Sequence, residues 1–187
     1  MPIIGIISSA QRYGDFVLLG TAVASGGETN LTFNNIVGSY TNLFLVTSLR
    51  SQATGDGSGM TMRFNNDTAS NYTCTNLAAY RTGGSSSRDS SIDNSDPYLY
   101  FEVATSDGNT SNSFGSGVVD IVGYAGSTFK HAIAYSGFMP TNPSTRYSYQ
   151  QVRAGNWQNT APITRIDINA FGAGFVTGSL VSLYGVK

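Results

Sequence analysis

The part of the chain that most restricts its fold is residues 157–187, where two strand-like runs, 163–170 and 179–186, flank a turn carrying Gly172, Gly174 and Gly178. In the first run Ile166, Ile168 and Ala170 alternate with Arg165, Asp167 and Asn169. That period of two gives a strand one dry face and one wet face. The second run is apolar on both faces, with Val181 and Leu183 on one and Leu180, Tyr184 and Val186 on the other. A strand of that kind has to be covered on both sides, either in the middle of a sandwich or by another subunit.

The same pattern recurs along the chain. Short β-type runs at 16–24, 31–36, 40–50, 60–64, 72–80, 98–104, 118–124, 129–138 and 147–157 are separated by Gly, Asn, Asp and Ser. No segment longer than one turn carries the 3.6-residue apolar period with caps, so the chain reads as all-β. The expected architecture is an antiparallel two-sheet β-sandwich, jelly-roll-like, with a short extended N-terminal arm. Residues 81–97, R-T-G-G-S-S-S-R-D-S-S-I-D-N-S-D-P, are too polar to pack and read as a long loop. In R-F-N-N-D-T-A-S-N-Y, residues 63–72, Phe64 and Tyr72 flank a polar turn and read as anchors of a hairpin. Arg63 is expected to pair with Asp67 or with a neighbouring subunit. Gly185 is expected to leave room for a second backbone.

At 187 residues the chain suits one domain, 15–187, preceded by an arm, 1–14. The arm carries Ile3, Ile4, Ile6 and Ile7, and exposing them together would invite association. It lacks the basic region and the long apolar core of a secretory leader, so it reads as an attachment arm for a protein partner. No apolar run reaches the roughly 18 residues of a membrane-spanning helix. Charged residues are 11 % and the net charge is −1, which argues against nucleic acid because phosphate contacts need clustered basic side chains. Cys74 stands alone and reads as a small buried apolar residue on a strand.

Residues 30–43, N-L-T-F-N-N-I-V-G-S-Y-T-N-L, and 63–72 stand in order with 114–125, F-G-S-G-V-V-D-I-V-G-Y-A, and the terminal T-G-S-L-V-S-L-Y-G-V-K. Together with the opening M-P-I-I-G-I, this set resembles a family of tailed-bacteriophage virion structural proteins over nearly the whole chain. The resemblance implies a β-sandwich virion component, often trimeric, that decorates the capsid or serves as a fibre-like appendage, and it implies no catalysis.

The residues themselves offer little to an enzyme. His131 is the one histidine, on a strand face shared with Ile133 and Tyr135, and Glu28 and Glu102 are the only glutamates, with Asp120 and Asp167 as lone strand acids. Nucleophilic catalysis needs a base beside a nucleophile, and glycoside hydrolysis needs paired carboxylates. The chain is therefore expected to be non-enzymatic and without cofactors. Calcium is the alternative chemistry, since Asp89, Asp93 and Asp96, with Asn94, bring oxygens into one segment, although the spacing is not that of a known calcium loop. Tyr80, Tyr98, Tyr147 and Trp157 suit either a glycan site or a protein interface. The expected function is a homotrimeric decoration or cement protein bound through its arm to the major capsid protein or another virion protein. The alternative is a short tail fibre or receptor-binding protein that recognises a host-surface glycan.

Overall fold

The computed structural model describes residues 16–55, 57–82, 85–108, 111–139 and 148–187. Among them twelve strands follow one another: β1 (Phe16–Val23), β2 (Asn30–Phe33), β3 (Asn42–Ser51), β4 (Gly57–Phe64), β5 (Tyr72–Thr82), β6 (Ser85–Asp96), β7 (Leu99–Ser106), β8 (Gly115–Val122), β9 (Lys130–Phe138), β10 (Ser148–Trp157), β11 (Ile166–Ala170) and β12 (Leu180–Val186). The described chain contains no helix, so the fold is all-β, as the alternation along the sequence requires.

Two antiparallel ladders make up the body. The larger runs β1-β12-β3-β8-β9-β10-β5-β6 and the smaller β2-β11-β4-β7. A short parallel contact, Arg50 with Thr105 and Ser51 with Ser106, joins β3 to β7. The hydrogen bonds therefore pass through both ladders as one mixed sheet. β7 also lies against β9 and β10 without pairing to them, which folds the smaller ladder over one face of the larger in a sandwich-like arrangement.

The core forms where the inward faces meet. On β3, Leu43, Leu45 and Leu49 are buried while Phe44 and Val46 turn outward. Val181 and Leu183 do the same on β12, and Met60, Met62 and Phe64 face them from β4. Each such side chain contributes about 1.5–3 kcal/mol by leaving water. Cys74 is buried on β5, as its strand context suggests.

Several expectations change in the folded chain. Most of residues 81–97 is strand rather than loop: β5 continues to Thr82 and β6, Ser85–Asp96, pairs with it from Tyr72↔Asp96 to Thr82↔Ser85. Backbone pairing with β5 needs no apolar side chain, so polarity alone does not reveal the strand. Residues 63–72 are not a hairpin either, because β4 pairs with β11 and β7 whereas β5 pairs with β10 and β6. This segment instead crosses from one ladder to the other. Its Asn65 and Asn66 take positive φ of 51° and 56°, a conformation that asparagine tolerates.

Arg63 donates to the Pro97 carbonyl at 2.9 Å. Asp167 lies buried rather than on a wet face, holding Arg165 through two bonds of 2.8 and 2.7 Å and accepting from Thr32 at 2.7 Å. Beside Gly185 stands the Tyr40 ring, not a second backbone.

Candidate interaction surface

The larger ladder covers its inner face with the smaller one, and among the described residues nothing packs over its outer face. Because successive side chains of a strand point to opposite faces, the register determines which residues share that outer face. Val46 of β3 stands opposite Val118 of β8, Val118 opposite Tyr135 of β9, Tyr135 opposite Val152 of β10, and Val152 opposite Leu77 of β5. One unbroken apolar row thus crosses five strands. Tyr135 is 54 % exposed and Leu77 63 %.

A second row, two residues along, holds Leu18, Tyr184, Phe44, Asp120 and Ile133. At its far end Ile92 of β6 is 67 % exposed. Phe16 meets Phe44 edge-on at 5.3 Å and Tyr184 at 6.3 Å, so the β1 corner is an aromatic cluster. A third row is more polar, with Val122, His131, Asn156, Thr73 and Asn94 in register. There the Thr73 hydroxyl lies 2.9 Å from Asn156 Oδ1.

A shallow, open hollow of about 1050 Å³ lies along the first row, lined by Val46, Leu77, Val118, Tyr135 and Val152, with Met139, Gln150 and Arg88 also on its lining. Charge is sparse. Asp120 sits near the middle, where burial raises its carboxyl above the ordinary value, and Arg81 and Arg88 stand at the β5–β6 end. What this surface can do chemically is exclude water against another apolar surface.

Behind it, between the ladders, lies a buried polar group. Glu102 accepts a hydrogen bond from Thr47 Oγ1 at 2.6 Å, and its other oxygen has no partner among the described residues. Burial pushes this carboxyl up to about 7, with the Thr47 bond pulling the other way. Gly117 makes room for it, since a Cβ there would lie 2.9 Å from Glu102 Oε2. Nearby, Gln151 donates to Ser136 Oγ at 2.9 Å and accepts from Arg153 Nε at 3.0 Å. Arg153 lies 3.7 Å from Asp93 and over the Tyr100 ring at 5.4 Å.

The remaining sequence candidates fall in different places. His131 is exposed on the outer face and Glu28 closes a surface turn, accepting from the Ser25 and Gly26 amides at 3.0 and 2.8 Å. Those bonds, the Ser25 hydroxyl foremost, lower its carboxyl to about 2. Asp89, Asp93 and Asp96 are spread along β6, and among the described residues no group of three His, Cys, Asp or Glu is placed to hold a metal ion. Trp157 is buried rather than loop-facing. Tyr80 stacks on Tyr149 at 5.9 Å and Tyr98 meets Tyr100 edge-on at 5.1 Å, so these two sit at separate places.

Tyr147 and Ile3, Ile4, Ile6 and Ile7 lie outside the described residues. The row from Val46 to Leu77 was not singled out from sequence, although apolar residues on both faces of β3 and β8 were its signal. No protein-family model, curated protein or solved structure matches the chain.

Proposed function

We propose that the chain is a non-enzymatic structural component of a tailed-phage virion, a homotrimeric, jelly-roll-like decoration protein on the outside of the capsid. The observation that carries the reading is the breadth of sparsely charged apolar surface on the outer face of the larger ladder, on a body of paired strands. Monomeric proteins rarely expose apolar patches beyond a few hundred Å². Such a body works by fitting against other proteins. The likeness of residues 30–43, 63–72, 114–125 and the C-terminal motif to virion proteins supplies the setting. Ile3, Ile4, Ile6 and Ile7 supply an apolar attachment segment that suits strand addition to a neighbour.

The test is incorporation into particles. Tailed-phage particles assembled with the full chain are purified and probed for it by mass spectrometry, alongside a form lacking residues 1–12. The full chain is expected in the particles and the truncated form in strongly reduced amount. Particles free of the full chain would remove the virion reading, and undiminished uptake of the truncated form would remove the arm from it.

The polar third row favours a second reading. His131, Asn156, Thr73 and Asn94 present hydrogen-bonding groups beside Ile133 and Ile92 in a hollow of about 360 Å³, an arrangement suited to a sugar. Specific binding on a glycan array, abolished by Asn156→Ala, is the result that would favour a receptor-binding fibre.

A further inference from the structure

We infer that the outer face of the larger ladder, centred on Val118, Tyr135 and Val152, is the surface through which copies of this chain associate. The inference rests on the assembly reading above and names its partner as a second copy of the chain rather than the capsid.

Area is the first reason. The open apolar side chains include Phe16 at the β1 corner, Tyr135 and Ile133 on β9, and Leu77 and Ile92 on the β5–β6 hairpin. Taken at their fractional exposures with Leu18, Val46, Val122 and Val152, they present on the order of 800 Å², which is what each partner contributes to a standard stable interface. The half-buried Phe44, Val118 and Tyr184 extend it.

Charge is the second. The centre of the face carries Val, Leu and Tyr side chains, so two copies meet there without like-charge repulsion. Its charged groups are few: Asp120, one row from Val118 on β8, and Arg81 and Arg88 at the β5–β6 end, where Arg88 lines the same hollow. A sugar would instead need several hydrogen-bonding groups converging at the centre, where the row from Val46 to Leu77 offers only the Tyr135 hydroxyl.

Continuity is the third. Val181 and Leu183 fill the core on the inner side of β12, and Tyr184 and Val186 on its outer side are only half covered. A second copy completes the cover that a two-faced apolar strand calls for.

Analytical ultracentrifugation of the full chain, with Tyr135→Lys, Leu77→Lys and Val37→Lys, tests this. Val37 is 57 % exposed away from the ladder face and serves as the control. Circular dichroism and thermal melting accompany each sample so that only folded variants are compared. The unaltered chain and Val37→Lys are expected to form an oligomer at roughly 50 µM, and each face variant to weaken association by about 30-fold or more, as for an anchor residue. A monomeric unaltered chain, or folded face variants that associate as tightly as the parent, would overturn the inference. Incorporation of the same proteins into particles separates the two claims: a chain that enters particles yet does not self-associate by this face keeps the virion reading and loses this one. A chain that self-associates by this face and is excluded from particles does the reverse.

Discussion

Trp157 donates its indole N–H to the Asp67 carboxylate at 2.8 Å and stacks on Tyr72, its partner across the β10–β5 ladder, with ring centroids 6.2 Å apart and planes 18° apart. Asp67 also receives the Ala69 amide at 2.9 Å and the Asn71 side chain at 3.0 Å. The segment crossing from β4 to β5 is therefore tied to the largest buried ring. Asp67→Ala leaves a buried indole N–H without an acceptor and loosens the turn, and is expected to cost about 2–4 kcal/mol. Trp157 is the single tryptophan, so its emission during urea unfolding reads the loss directly.

Glu102 makes stability depend on pH in the direction opposite to most carboxylates. Its carboxyl is raised from 4.5 to about 7 in the folded chain, so the folded state holds a proton that the unfolded state releases above pH 4.5. Stability from this group is complete below pH 4.5, declines as pH rises toward 7, and is level above that. The decline is on the order of 3 kcal/mol. Glu102→Gln keeps shape and neutrality, and its thermal midpoint is expected to stay flat across that window while the parent's falls.

At the acid end Asp67 and Asp167 act the other way. Burial opposes their ionisation, but hydrogen bonds from Asn71 and Arg165 respectively, with others, more than offset it and lower both carboxyls from 3.8. Their stabilisation is present above that value and is lost as pH falls below it. Melting curves are expected to drop below pH 3.8 for the parent, and Asp167→Asn to show a shallower drop.

Gly185 stands against the Tyr40 ring so closely that a Cβ would overlap its Cγ and Cδ atoms. Gly185→Ala is expected to destabilise the chain by about 1–3 kcal/mol through overpacking. Tyr40→Ser alone also costs stability, but in the Gly185→Ala background it should cost less or relieve the strain. A double-mutant cycle by denaturant unfolding measures that coupling, and full additivity would contradict the contact.

Cys74 is buried, with its S–H toward Asp93 at 3.4 Å. Burial first, and the Asp93 bond after it, push the thiol up to about 11. Since the thiolate is the reactive form, labelling by iodoacetamide at pH 8 is expected to be about 100-fold or more slower than for a free cysteine. Labelling at the free rate would show β5 opening readily.

Period-two patterning made the strands of the core legible. Leu43, Leu45 and Leu49, or Val181 and Leu183, announce a buried face by spacing alone, because a strand allows no other face for them. Ser85 to Asp96 announced nothing, since β6 is held by backbone bonds to β5 and its side chains are nearly all exposed. Trp157 read as a loop-facing aromatic because the acceptor for its N–H, Asp67, lies 90 residues away in sequence.

By itself the sequence determined that the chain is all-β, that the alternating apolar residues of its core strands are dry, and that β12 is apolar on both sides, because these follow from local alternation and need no partner strand. Which strands pair was decided only in three dimensions. Register across β3, β8, β9, β10 and β5 turned scattered Val46, Val118, Tyr135, Val152 and Leu77 into one row, and the same folding buried Glu102 behind Gly117. Strand pairing joins residues far apart in the chain, and the free energy that selects one register comes from faces that exist only after the pairing is made.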